Sequence, residues 1–200
     1  MVKYLRLSGH DKYDGSLLPR LVFRVESLGW KGTSMKRIHI IGRKDSGKTT
    51  LIVELVKRLT SMGYRVGTVK HTHHRHELDT PGKDSFRHRQ AGAAAVGILS
   101  PGMTAVFWPS DSDRSDQYDR LSMLLADCDL VVVEGDSTTD AEKIEVWRAA
   151  TSTKPLATDD PSILAVVTDD SVEVPVPLWP RSDVAGLAAR LVELAGGKTE

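Results

Sequence analysis

Among its 200 residues the chain has a single cysteine, Cys128. One thiol excludes an intrachain disulfide and any zinc or iron–sulfur site built from several cysteines. No apolar run approaches the roughly 20 residues that a membrane span needs, and no membrane association is expected. An excess of one charge is also missing: Lys plus Arg and Asp plus Glu number 27 each, for a formal net charge of zero. Such a chain has little to offer a phosphate backbone non-specifically, so no nucleic-acid partner is expected. The N-terminus lacks the apolar core and small-residue cleavage site of a secretory leader. There is no internal repeat and no low-complexity segment. What remains is a globular composition, 40% hydrophobic and 27% charged. At about 150 residues per domain it amounts to one domain plus a short appendage, with the cytoplasm as the default location.

The appendage is read as residues 1–34, which mix turn residues and charges without a sustained period. Leu21-Val22-Phe23-Arg24-Val25 is its candidate edge strand, and residues 29–34 read as a linker. A strand pattern begins directly after Met35, so residues 1–34 are expected to be a dispensable extension, disordered or a misassigned start. Residues 35–196 read as one nucleotide-binding domain, and residues 197–200 as a tail.

Within that domain strands and helices alternate. Residues 38–41 form a short apolar strand ending at Gly42. Residues 49–62 form a helix, with Leu51, Ile52, Leu55, Val56 and Leu59 at helical spacing and Gly63 as its stop. A second strand is expected over 65–69, and a short helix over 84–90 capped by Asp84 or Ser85. Residues 94–99 and 103–108 read as two strands joined through the turn pair Pro101-Gly102. Tyr118, Leu121, Leu124 and Leu125 mark a further helix. Residues 130–133 are a wholly apolar strand, the pattern of one covered on both faces. Strands at 143–147 and 163–168 follow, then a helix over 183–194 ended by Gly196-Gly197. The expected fold is therefore α/β: three layers, a mostly parallel sheet with helices on both faces.

One run matches the Walker A pattern G-x-x-x-x-G-K-[ST]: Gly42-Arg43-Lys44-Asp45-Ser46-Gly47-Lys48-Thr49. Gly42 turns the chain off the strand, and Gly47 lets the backbone approach an anion. The N–H groups of Asp45, Ser46, Gly47, Lys48, Thr49 and Thr50 then converge at a helix N-terminus carrying about half a positive charge. Lys48 is expected to meet the β and γ phosphates, and the Thr49 hydroxyl to hold Mg2+. The flanking strand and amphipathic helix give the motif the context it requires.

Position along strands adds further candidates. Asp129 and Glu134 flank the apolar strand, and at ~3.3 Å per residue they lie about 16 Å apart. Ligands of parallel sheets bind beyond the carboxyl ends of strands. Glu134 can therefore reach the Mg2+ shell or an attacking water, as the candidate catalytic acid, the alternative being a helix cap or a solvated loop acid, while Asp129 is left at the opposite edge. Gly135 would allow close approach to the γ phosphate. The run Lys70-His71-Thr72-His73-His74-Arg75-His76 follows the second strand and reads as an anion-positioning loop, a metal loop, or solvated chain. In the loop 79–85, Asp79 is a candidate for Mg2+ through water and Lys83 for a phosphate, each against a plain surface role. Asp169, at a strand end, could accept from guanine N1–H and N2–H2, a donor pair that adenine lacks; the alternative is an ordinary turn acid.

The segments GKTTL, VGTVKHTHH and DTPGKDSFRHRQAGA, in that order, resemble the molybdopterin-guanine dinucleotide biosynthesis protein B (MobB) family, and VVVEG, KIEVWR and AVVTDD continue the resemblance across residues 35–195. The resemblance implies the phosphate-loop NTPase fold with GTP and Mg2+ as ligands. It also implies weak GTP hydrolysis, and an accessory role in attaching GMP to molybdopterin. Implied partners are a second copy of the chain, the guanylyltransferase MobA and a MoeA-type insertion protein. Carried over by position, Lys48 and Thr49 are phosphate and Mg2+ ligands, and Glu134 is the acid of the second nucleotide motif. Lys70 and His71 fall in the family's basic loop, and Asp79, Lys83 and Asp84 in its D-x-P-G-K-D loop. One departure stands out: Asp136-Ser137 replaces the aromatic residue and lysine common in the family, which removes a candidate phosphate or partner contact. Arg43 is a candidate for reaching across a dimer, against a plain exposed charge. Two other functions compete: a small-molecule or nucleotide kinase, with Glu134 positioning an acceptor hydroxyl, and a nickel metallochaperone using His71, His73 and His74.

Overall fold

The computed structural model describes residues 35–72, 74, 76–109 and 114–196. The expectations for residues 1–34, His73, Arg75 and the tail at 197–200 lie outside the described residues. In chain order the elements are β1 (Arg37–Ile41), α1 (Lys48–Ser61), β2 (Val66–Lys70), α2 (Asp84–Gln90), β3 (Val96–Leu99), β4 (Thr104–Phe107), α3 (Arg114–Leu124), β5 (Leu130–Glu134), β6 (Lys143–Val146), β7 (Ile163–Val167), β8 (Leu178–Trp179) and α4 (Val184–Leu194), with 3-10 turns at Ala149–Thr151 and Leu156–Thr158.

Six strands form one sheet in the order β2-β5-β1-β6-β7-β8, and every pairing in it is parallel. Parallel strands need crossovers, so each face must be covered. Alternation along β5 divides the two faces. Leu130 and Val132 pack with Ile38, Ile40, Leu51, Leu55 and Leu59 beneath α1 and α4. Val131 and Val133 pack against Tyr118, Leu121 and Leu125 around α3. The other half of that second face is closed by Ile41, Trp147, Ala157, Ile163 and Val166. This is the expected three-layer α/β architecture. Truncating Leu55, which is 1% exposed, to alanine would cost about 2–5 kcal/mol in such a core.

Several expectations are revised. α2 is capped at Lys83 and not at Asp84 or Ser85: Asp84 stands in the first turn, no side chain caps the helix, and the Ser85 hydroxyl donates to Asp79 instead. Leu124 is exposed, because the apolar side of α3 runs through Tyr118 and Leu121. The two strands expected on either side of Pro101-Gly102 are present as β3 and β4, paired as an antiparallel ribbon outside the main sheet. β8 is an addition: two residues between Pro177 and Pro180 carry too little period to be read from sequence.

Candidate functional site

Register assembles the site. β1 and β5 pair with Ile40 opposite Glu134, and β2 and β5 pair with Lys70 opposite Glu134. The carboxyl ends of three adjacent strands therefore deliver Lys70, Glu134 and the loop 42–47 to one rim. On the other side of β1, Ile41 lies opposite Glu145 of β6, and Val146 opposite Val167 of β7. The same rim thus continues to Arg148 and Asp169.

The loop after β1 is held open from below. Gly42 has φ 144°, and a Cβ there would lie 2.3 Å from the Val146 carbonyl oxygen and 2.8 Å from Ser46 Oγ. No other residue fits that turn. Asp45 also adopts a left-handed conformation, and Gly47 is the N-cap of α1 with no side chain capping it. The first-turn N–H groups of α1 at Lys48, Thr49 and Thr50 have no acceptor within the helix. Lys48 Nζ donates to the carbonyls of Gly42 (2.9 Å) and Arg43 (2.7 Å). Burial lowers its pKa, while Glu134 and Asp45 act in the opposite sense. An arriving anion would relieve that penalty. Ser46 Oγ is buried without a hydrogen-bond partner.

Thr49 Oγ1 donates to Glu134 Oε1 at 2.8 Å, and Lys70 Nζ approaches the same oxygen at 3.4 Å. These groups border a cavity of about 470 Å3 lined by four cationic side chains, Lys44, Lys48, Lys70 and Arg148, and two acidic ones, Asp45 and Glu134. The excess positive charge and the open amides suit a polyanion. The hydroxyl of Thr49 and the carboxylate of Glu134 are hard oxygen donors of the kind Mg2+ takes. Asp129, at the other end of β5, accepts the Arg65 N–H at 2.7 Å and braces the opposite edge.

A second cavity, of about 270 Å3, adjoins the first at Gly47, Thr50 and Arg148. It is bordered by Ser46, Trp147, Asp169, Asp170 and Arg181. Asp169 Oδ1 accepts from the N–H and the hydroxyl of Ser182, both at 3.0 Å. The Ser182 backbone bond is the main cause holding the Asp169 pKa below the usual carboxylate value. Asp170 Oδ2 accepts the Ala149 N–H at 2.7 Å, which ties the chain beyond β6 to the end of β7.

Other candidates are placed elsewhere. His71 belongs to the rim through its backbone, its N–H donating to Glu134 O at 2.9 Å. Gly135 makes its close approach to protein: a Cβ there would lie 3.0 Å from the His71 carbonyl oxygen. Asp79 and Lys83 border neither cavity. Asp79 Oδ1 accepts from the Thr80 N–H (2.8 Å) and the Ser85 hydroxyl (2.9 Å), and Arg89 stands 3.7 Å from Oδ2. His74 and His76 have ring centroids 5.7 Å apart. Among the described residues no group of three or more His, Cys, Asp or Glu could hold a metal ion.

Asp136, read from sequence as a lost contact, faces inward. It is buried at φ 60°. Its Oδ2 accepts from the Tyr118 hydroxyl at 3.0 Å, and Oδ1 from Thr138 at 3.2 Å. Burial opposes ionisation of Asp136, but the Tyr118 bond and nearby histidines outweigh it, and its pKa is lowered. Tyr118 also meets the buried His39 ring edge-on at 5.7 Å, and His39 Nδ1 lies 3.2 Å from Gly135 O. Tyr118, Asp136 and His39 thus fix the turn that follows Glu134. Sequence reading missed this brace, and it missed Arg148 and Arg181. The rule that found Glu134 and Asp169 applies equally to Arg148, two residues past the end of β6.

Residues 37–169 match the family model described as "MobB: Molybdopterin guanine dinucleotide synthesis protein B". The chain belongs to the MobB family. A curated relative from Escherichia coli (strain K12), named a molybdopterin-guanine dinucleotide biosynthesis adapter protein, is 33% identical over 181 residues, covering 89% of this chain and 94% of its own. That extent exceeds residues 35–200, so similarity reaches into residues 1–34, where the sequence reading placed none. A Haemophilus influenzae protein of the same name is 35% identical over 135 residues, covering 68% of this chain and 75% of its own. Among solved structures, a crystal structure of molybdopterin-guanine biosynthesis protein B matches with TM-score 0.57 and 28% identity over 80% of this chain and 99% of that one. Bacillus subtilis MobB matches in fold, with TM-score 0.62 and 19% identity over 83% of this chain and 100% of that one. The MobB match runs from the first residue of β1 to Asp169, taking in every site residue expected from sequence; Asp170 and Arg181, which border the second cavity, and Ser182, which holds Asp169, lie beyond it.

Proposed function

We propose that this chain is a GTP-binding adapter that assists the attachment of GMP to molybdopterin. Membership of the MobB family carries the coarser role, in molybdenum-cofactor biosynthesis. The observation that supports the finer reading best is the pairing of Thr49 Oγ1 with Glu134 Oε1 at 2.8 Å, directly beside the open amides of α1 and the Lys48 ammonium.

The triphosphate lies along the first turn of α1, its oxygens accepting from the N–H groups of residues 47–50. Lys48 exchanges its two loop carbonyls for phosphate oxygens. Mg2+ fits the hard donors Thr49 and Glu134; bound there it would neutralise phosphate charge. Lys70 sits close enough to Glu134 to hold that carboxylate in place. The nucleoside occupies the smaller cavity, where Asp169 accepts from guanine N1–H and N2–H2. Ser182 fixes the carboxylate through one oxygen and the lowered pKa keeps it ionised. Weak hydrolysis is consistent with Glu134 serving the metal shell before any water.

Calorimetric titration with GTP and ATP in Mg2+ tests this reading. GTP is expected to bind more tightly, because adenine offers the Asp169 carboxylate no N1–H and N2–H2 donor pair. Equal affinities would remove the guanine assignment. Asp169→Asn is expected to shift preference toward xanthine nucleotides, since the amide offers a donor where guanine needs an acceptor; an unchanged preference would take Asp169 out of the site. The expected partners are a second copy of the chain and the MobA and MoeA-type proteins, read by sedimentation of the chain alone and in mixtures.

A further inference from the structure

Arg148 occupies a position that the assignments above leave unused. It borders both the 470 Å3 cavity and the 270 Å3 cavity, and of the residues common to both it is the only one with a charged side chain. Its backbone is held firmly. The preceding Trp147 is buried, with its N–H bonded to Val167 O at 3.1 Å and its indole Nε1 to Thr153 O at 2.7 Å. Arg148 O accepts from the Thr151 N–H (3.1 Å) and hydroxyl (2.8 Å). The following Ala149 N–H is bonded to Asp170 Oδ2 at 2.7 Å. Between these anchors the guanidinium has no ion pair or side-chain hydrogen bond among the described residues, whereas Arg181, which also borders the smaller cavity, is paired to Glu54 at 2.7 Å. A fixed backbone carrying an uncommitted, planar, five-donor cation is suited to bidentate grip of a phosphate.

We infer that Arg148 is a nucleotide-binding residue that grips the phosphate nearest the nucleoside, at the junction of the two cavities. The inference rests on the proposed placement of phosphates in the larger cavity and nucleoside in the smaller. A ligand laid across both has its α phosphate where they meet. Lys48 then serves the outer phosphates and Arg148 the inner one. The contact is common to nucleoside di- and triphosphates and carries no information about the base.

The test is nucleotide titration of the full chain, as wild type, Arg148→Ala and Arg148→Lys, with GTP, GDP and guanosine in Mg2+. Loss of a bidentate charged contact predicts that Arg148→Ala weakens GTP and GDP alike by about 10- to 100-fold. Guanosine affinity is unchanged, the preference for GTP over ATP is retained, and Arg148→Lys recovers part of the loss. Unchanged GTP and GDP affinity in Arg148→Ala overturns the inference. So does a loss confined to GTP, which would place the residue at the γ phosphate, or a parallel loss for guanosine, which would place it on the base. Failure of the wild type to bind any of the three, or binding unaffected by Lys48→Ala, would instead defeat the underlying placement of the nucleotide.

Discussion

The chain carries two loops that end in glycine and lysine at the start of a helix: residues 42–48 at α1, and residues 79–83 ahead of α2. On paper each is a candidate anion loop. In the structure they behave oppositely. The first has its turn forced by Gly42 against Val146 and leaves the first amides of a 14-residue helix facing a cationic cavity. The second closes on itself: Asp79 takes up the Thr80 N–H and the Ser85 hydroxyl, and Arg89 clasps Glu77 at 2.6 Å. Its lysine is left exposed at the cap of a seven-residue helix. On the proposed reading, what fits the first glycine–lysine pair for an anion is its delivery to the rim by a buried strand, with an opposing carboxylate. In the second loop the same residue types serve local order.

Substitutions in the two loops should therefore separate affinity from stability. The largest effect is expected for Lys48→Ala. Losing charged hydrogen bonds worth about 1.5–3 kcal/mol each should weaken GTP binding by about 100-fold or more, read by calorimetry, with the melting temperature little changed. Asp79→Ala should do the reverse. It leaves the Thr80 N–H and the Ser85 hydroxyl without their acceptor and takes away the carboxylate 3.7 Å from Arg89, for a loss of about 1–3 kcal/mol in denaturant unfolding, and GTP affinity should stay within about twofold.

A smaller effect comes from His39 beneath the first rim, fully buried and with its pKa lowered chiefly by that burial. The unfolded chain binds the His39 proton more readily than the folded one. Its stability contribution is therefore complete above the ordinary histidine value of about 6.5 and is lost as pH falls through and below it, by up to about 1.4 kcal/mol per unit. Denaturant titrations from pH 7.5 to pH 5 should show that slope, and His39→Gln should flatten it. The smallest effect is expected for Lys83→Ala, below about 0.5 kcal/mol in stability and with no change in GTP affinity. A clear loss of affinity there would make the second loop an anion site after all.

The difference between the loops also marks how far the sequence could be read. Helical spacing of Leu51, Leu55 and Leu59 and the apolar run of β5 announce a covered parallel sheet, and strand polarity alone places Glu134 beside the phosphate loop and Asp129 away from it. What escaped depends on pairing between distant strands. Arg148 and Asp169 share a cavity only because β6 and β7 are neighbours, with Val146 opposite Val167. Asp136 reads as a missing contact until Tyr118, far back in the chain, is seen to bind it. Asp79 and Lys83 carry no period that distinguishes a self-closed loop from an open one. The two-residue β8 is too short to leave any pattern at all.

Backbone amide resonances followed during addition of Mg2+ and GTP report on the main-chain N–H groups proposed as the phosphate cradle. Large shifts are expected at Gly47, Lys48, Thr49 and Thr50 and none at residues 80–84. Shifts concentrated at residues 80–84, with the first turn of α1 unmoved, would contradict that assignment.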